Sequence, residues 1–221
     1  MKTLLIFLLS TCSLFAQLNI SNPFYVATVT RNVASAASAT ATDTFNRANS
    51  SPMSTTMSDG TSTWTSGPGA LNDCDIFGNE IRGSAGTSGA RVLSPTFAAN
   101  QYSYVTAGTD NLAVGPAVRL ASTTDADGYF AYPSSATSVT FYRIDDTGSI
   151  ALVALGANVT ITALAAGETL GLGISGTTLT LYTNGVSTGA TRTDATYSTG
   201  QPGIYCGNNV RLWNAFGAND L

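Results

Sequence analysis

The chain has 221 residues, a formal net charge of −4 and only 10% charged residues, which excludes the clustered Lys and Arg of a nucleic-acid-binding surface. It contains no histidine, and Lys2 is its one lysine. The commonest general base and zinc ligand is therefore missing, and with it every Ser-His or Cys-His nucleophile pair.

Residues 1–16, MKTLLIFLLSTCSLFA, have the form of a secretory signal. Lys2 opens a short apolar core from Leu4 to Leu9, too short for the about 20 residues of a membrane span. Cleavage is expected after Ala16, and the export it implies puts the protein outside the cell or on its surface. Leu9-Ser10-Thr11-Cys12 competes as a lipid-anchor motif with Cys12 as the lipidated residue, and an uncleaved N-terminus is the third option. Residues 17–42 differ in character. Phe24, Tyr25, Val26, Val29 and Val33 suit one strand, or an arm that docks on a neighbouring copy, and Ala34 to Thr42 is a small-residue linker.

The main domain is expected over residues 43–221. Thr44 to Arg47 is a short strand, followed by a polar loop from Ala48 to Gly60 that ends at Trp64. Ile76 to Ile81 turns a corner at Gly78-Asn79, Val92-Leu93 precedes Pro95, and Tyr102, Tyr104 and Thr106 alternate with Ser103 and Val105. Strands follow over Leu112 to Leu120, Gly128 to Tyr132, Val139 to Ile144 and Ile150 to Leu155.

Gly167 to Val186 is the clearest stretch. Leu170, Leu172 and Ile174 alternate with small residues, Ser175-Gly176 turns, and Leu179 and Leu181 alternate with Thr178, Thr180 and Tyr182 up to Asn184-Gly185. Period-two alternation gives each run one apolar face, and glycine permits the positive φ of a tight reversal, so this is a β-hairpin that must lie on a second apolar layer. Gly203 to Tyr205 and Val210 to Trp213 close the chain around Gly207-Asn208-Asn209. Short strands at this spacing, with Gly, Asn and Asp turns, predict an all-β antiparallel sandwich with Trp64 and Trp213 in its core.

Once residues 1–16 are removed, Cys74 and Cys206 remain. An even count in an exported chain permits one disulfide, and two separate buried thiols are the alternative.

Several runs carry a resemblance. Asp43 to Ser50 (DTFNRANS) is followed by Trp64-Thr65; Gly115 to Arg119 (GPAVR) by Asp127-Gly128-Tyr129 and Phe141-Tyr142-Arg143; Gly167 to Leu170 by Leu179 to Gly185, Gly203 to Tyr205 and Arg211 to Asn214. In this order they resemble the concanavalin A-like (laminin-G-like) jelly-roll domains of bacterial and phage secreted or surface proteins, over Asp43 to Asp220. The resemblance implies two curved antiparallel sheets packed face to face, with the first and last strands adjacent. It also implies that Cys74 and Cys206 fall in neighbouring regions.

Members of that fold family include laminarinase-type hydrolases, which need an acid and a nucleophile carboxylate about 5 Å apart. This chain has two glutamates, Glu80 and Glu168, in different elements. The pairs Asp125/Asp127 and Asp145/Asp146 are read as turn formers. The resemblance implies a structural calcium near the chain ends or a loop, for which Asp43 with Asp220, or Asp125 with Asp127, are the candidate ligands. It also implies a carbohydrate surface on the concave sheet or its rim, for which Arg119, Tyr129 and Tyr142 are the candidates. The expected function is a non-catalytic secreted or surface module that binds a glycan or mediates adhesion. The alternatives are a subunit of a virion, fibre or extracellular filament that self-assembles through residues 17–42, and a degenerate glycoside hydrolase.

Overall fold

A computed structural model describes residues 38–53, 55–108, 113–121, 124–207 and 213–221. The signal, the Cys12 motif, the arm up to residue 37, and the Asn208 to Leu212 part of the last predicted turn and strand lie outside the described residues.

Sixteen strands form among these residues. They are β1 (Thr40–Asp43), β2 (Thr63–Ser66), β3 (Cys74–Phe77), β4 (Glu80–Gly83), β5 (Ser88–Ser94), β6 (Gln101–Ala107), β7 (Val114–Leu120) and β8 (Gly128–Ser135), then β9 (Ser138–Asp146), β10 (Ile150–Ala154), β11 (Val159–Thr160), β12 (Thr169–Ser175), β13 (Thr178–Thr183), β14 (Val186–Thr193), β15 (Gln201–Cys206) and β16 (Trp213–Asp220). No helix occurs among the described residues.

All the strand pairings are antiparallel and build two sheets. The first runs β14-β13-β12-β6-β16-β4-β3, with β1 also on β16; the second runs β10-β9-β8-β7-β15-β5-β2, with β11 also on β9. The predicted hairpin stands in the first sheet, one strand in from its β14 edge, with Leu172 opposite Leu181 and Ile174 opposite Leu179. Asn184 and Gly185 have φ of 52° and 74°, the positive pair that a two-residue hairpin requires, and lead into β14.

The first strand lies at Thr40–Asp43, not at Thr44 to Arg47, and pairs with β16. Its end has a local cause. The Asp43 carboxylate accepts the backbone N–H of Phe45 at 2.9 Å, and Phe45 turns to φ 53°, which ends the extended run. Thr40 to Thr42 of the small-residue stretch therefore belong to the sheet. The adjacency of first and last strands holds through this ladder, Thr40–Asn219 to Asp43–Phe216.

Leu170, Leu172, Ile174, Leu179, Leu181, Val105 and Phe216 of the first sheet pack between the layers against Trp64, Val118, Tyr129, Phe141 and Ile204 of the second. Trp64 and Trp213 are both buried in this core. At about 25 cal/mol per Å² of apolar surface removed from water, this face-to-face burial is the main force holding the layers together.

An aromatic recess on the outward face of the second sheet

Side chains along the second sheet divide by alternation. Val118, Tyr129, Ala131, Ile204 and Cys206 belong to the core between the sheets, while their neighbours Ala117, Phe130 and Tyr205 belong to a second apolar cluster with Leu71, Leu120, Ala126 and Ile144. That cluster lies on the outward face.

Two loops cover one end of this face, and Asp146 holds both. Its Oδ2 accepts the N–H of Ala70 at 2.8 Å and of Ala126 at 3.2 Å, while Oδ1 accepts Gly148 N–H at 3.0 Å. The Asp146 N–H in turn donates to Asp127 Oδ1 at 2.6 Å. Leu71, carried by the first loop, sits where a side chain on Gly89 would project.

The rest of the face forms a recess of about 160 Å³ lined by Phe130, Tyr132, Tyr142, Leu152, Tyr205 and Gly207. Phe130 stacks on Tyr205 with ring centroids 3.8 Å apart, and on Tyr142 at 5.1 Å and 13°. Tyr132 stands edge-on to Tyr142 at 6.2 Å and to Tyr205 at 6.0 Å. The rings close over β7 because that strand offers only Gly115 and Ala117 there. A Cβ on Gly115 would lie 1.7 Å from the Ala131 carbonyl oxygen, so no side chain fits. Gly207 is small for a similar reason, since the Tyr132 ring occupies the space its Cβ would take.

None of the described residues that line it is charged. Burial, then neighbouring Tyr142, pushes the Tyr132 hydroxyl above its ordinary range, and burial, then Tyr132, does the same for Tyr205. Both therefore stay protonated at neutral pH. Among the described residues no protein group bonds the hydroxyls of Tyr132, Tyr142 or Tyr205, and Tyr132 and Tyr142 are partly exposed.

Of the three residues expected on an exposed surface, the structure places only Tyr142 there. Arg119 is 2% exposed. Gly203 pairs with Ala117 but Gln201 pairs with Leu120, so Val118 and Arg119 together face Pro202, which has no N–H to donate to the ladder. This bulge, with Arg119 at φ 55°, breaks the alternation and turns the guanidinium inward. It donates to the carbonyls of Ala99 (2.9 Å), Tyr197 (2.9 Å) and Gly176 (2.8 Å). Tyr129 points into the core on the opposite parity to Phe130, and its hydroxyl donates to Asp194 at 2.9 Å. Phe130, Tyr132, Tyr205 and Leu152 were not anticipated. The signal was present in the alternation of Gly128 to Tyr132, which sets Phe130 and Tyr132 on one face.

The calcium candidates separate. Asp43 is wholly buried and saturated: Arg47 donates from both terminal nitrogens, Trp64 Nε1 at 2.7 Å and Phe45 N–H at 2.9 Å. Asp220 accepts Ala39 N–H at 2.9 Å and Ala98 N–H at 2.7 Å. It lies beyond the Thr40–Asn219 end of the β1–β16 ladder, whose other end is Asp43, so the two cannot share an ion. Asp125 Oδ1 accepts the Asp127 N–H at 3.1 Å and Asp127 Oδ1 accepts the Asp146 N–H at 2.6 Å, while the Tyr197 hydroxyl also bonds Asp127. Among the described residues no group of three or more acidic or sulfur side chains is placed to hold a metal.

Cys74 and Cys206 meet between the sheets with their sulfurs 3.3 Å apart. Glu168 bonds Ala165 N–H and Asn184 at the surface, Glu80 is on β4, and neither reaches the recess.

No protein-family model matches the chain, and no curated protein matches it. Solved structures do. The carbohydrate-binding module CBM66 from Bacillus subtilis aligns with 72% of this chain and 93% of its own at 17% identity and a TM-score of 0.47. The exoplasmic/lumenal domain of VIP36, in its Ca2+/Man2-bound form, aligns over 82% and 87% at 11% identity and 0.46. A native glycosidic hydrolase aligns over 81% and 94% at 12% identity and 0.44. At TM-scores below 0.5 these likenesses decide neither ligand nor activity, and the sandwich rests on its own strand order.

Proposed function

We propose that the protein is a non-catalytic module that binds an uncharged glycan in the aromatic recess of its second sheet. The observation that carries this is the recess itself: the half-buried rings of Tyr132 and Tyr142, packed on the buried rings of Phe130 and Tyr205, with phenol hydroxyls that bond no other described residue. A sugar has apolar C–H faces and a rim of hydroxyls. The partly exposed rings of Tyr132 and Tyr142 meet the one, and their phenols bond the other. A charged sugar would lose its water in the recess, and the described lining offers no counter-charge to replace it. Among the described residues no carboxylate lines the recess to serve as an acid or a nucleophile for glycoside cleavage. The signal-like residues 1–16 support action outside the cell, and a native protein that keeps Met1 overturns that part.

A glycan array followed by calorimetry tests the reading. Tyr142→Ala and Tyr132→Ala should each weaken binding about tenfold or more, the loss of at least 1.4 kcal/mol of contact. Chelation with EDTA should leave affinity unchanged. A blank array at high protein concentration overturns the proposal, as does binding restricted to acidic sugars.

A further inference from the structure

Cys74 belongs to β3 of the first sheet and Cys206 to β15 of the second, 132 positions apart in sequence. Each side chain points between the layers and is fully buried. Their sulfurs are 3.3 Å apart, and a disulfide bond of about 2.05 Å needs them to close by little more than about 1 Å.

We propose that Cys74 and Cys206 are a covalent crosslinking site between the two sheets, oxidised while the chain folds and sealed from solution once the sandwich has closed.

The step is a double exchange. One cysteine thiolate attacks an external disulfide of the glutathione type and expels one thiol. The second cysteine then attacks the mixed disulfide and expels the other. The protein loses two electrons and two protons, and the external disulfide is reduced to two thiols. Both attacks need a thiolate and a line of approach. The folded protein offers neither: both sulfurs lie in the core, and burial, then the hydrogen bond with Cys206, holds the Cys74 thiol well above its ordinary range. The crosslink therefore forms before the layers meet, and after that reductants cannot reach it.

A Cys12→Ser background, which removes the third thiol, makes the test clean. Reduced protein is refolded from denaturant with oxidised glutathione, and in parallel the already folded reduced protein is given the same reagent for the same time. Refolding should yield a species lighter by two hydrogen atoms, with the Cys74 and Cys206 peptides joined and Tm higher by roughly 10 °C. The folded reduced sample should remain reduced and unalkylated until it is denatured. A refolded product that still carries two alkylatable thiols overturns the crosslink. A folded sample that oxidises as fast as the unfolded one overturns the sealing.

Discussion

Phe130 and Tyr205 stack at 3.8 Å and 21° across β7, a strand that lies between them and contributes only Gly115 and Ala117 at that point. The floor of the recess thus depends on what β7 lacks. Ala117→Leu should drive a branched side chain between the two rings. Overpacking of this kind costs about 1–3 kcal/mol, and the stack should open. The expected result is a Tm lower by several degrees and glycan affinity reduced at least as far as in Tyr142→Ala. Unchanged affinity in this variant would show that the Phe130–Tyr205 stack does not support the binding surface.

Arg119 separates structural from binding roles. Its guanidinium satisfies three backbone carbonyls from three segments, at Ala99, Gly176 and Tyr197. Arg119→Ala removes this donor from all three acceptors, with only the long 3.5 Å contact from the Tyr129 hydroxyl left to Tyr197, a loss of about 2–4 kcal/mol for hydrogen bonds made by a charged donor. Arg119→Lys recovers little, because one ammonium lacks the planar fork. Both variants should unfold earlier in urea, yet bind glycan within about twofold of the parent while folded. A selective loss of binding with stability intact would place Arg119 at the ligand after all.

Much of the architecture was legible because it follows from alternation. The Leu170–Ile174 and Leu179–Leu181 runs give the β12–β13 hairpin and its register directly. β14 was not legible: Val186 to Thr193 is polar and exposed, and its strand form comes from backbone pairing with β13. Parity was the other limit. Alternation sets Tyr129 and Phe130 on opposite faces but does not say which face is inward, and the loops pinned by Asp146 and the opposing sheet decide it. At Arg119 even the alternation fails, since a bulge opposite Pro202 adds a residue that no local pattern announces. The expected surface therefore retained one member of three, Tyr142.

Asp43 ties the first strand to the core. Its carboxylate, 0% exposed, holds Arg47, Trp64 Nε1 and the Phe45 N–H together. Removing one partner of a buried pair costs about 3–5 kcal/mol, because the other is left uncompensated. Arg47→Ala strands the buried carboxylate, and Asp43→Ala strands the indole N–H. Each should lower Tm by roughly 10 °C, read by calorimetry. Asp43→Asn keeps the shape and part of the hydrogen bonding and should lose less. Equal losses in all three variants would show that packing, not the charged knot, is what matters there.

Asp194 predicts the acid limit. Burial raises its pKa, but bonds from Thr196, Tyr129 and Arg143 outweigh this and bring it to about 2. The unfolded value is about 3.9, so between pH 4 and pH 2 the unfolded chain takes up the proton more readily. The stabilisation is therefore complete above about pH 4 and lost as pH falls through the folded pKa, a contribution of at most about 2 kcal/mol. Asp145, held low by its bond from Arg143, acts in the same direction. Urea unfolding at pH 5, 3.5 and 2.5 should show the parent losing stability steadily, while Asp194→Asn starts lower and falls less. Parallel curves for the two proteins would mean that Asp194 has the same pKa folded and unfolded, and that the Arg143 network does not set acid stability.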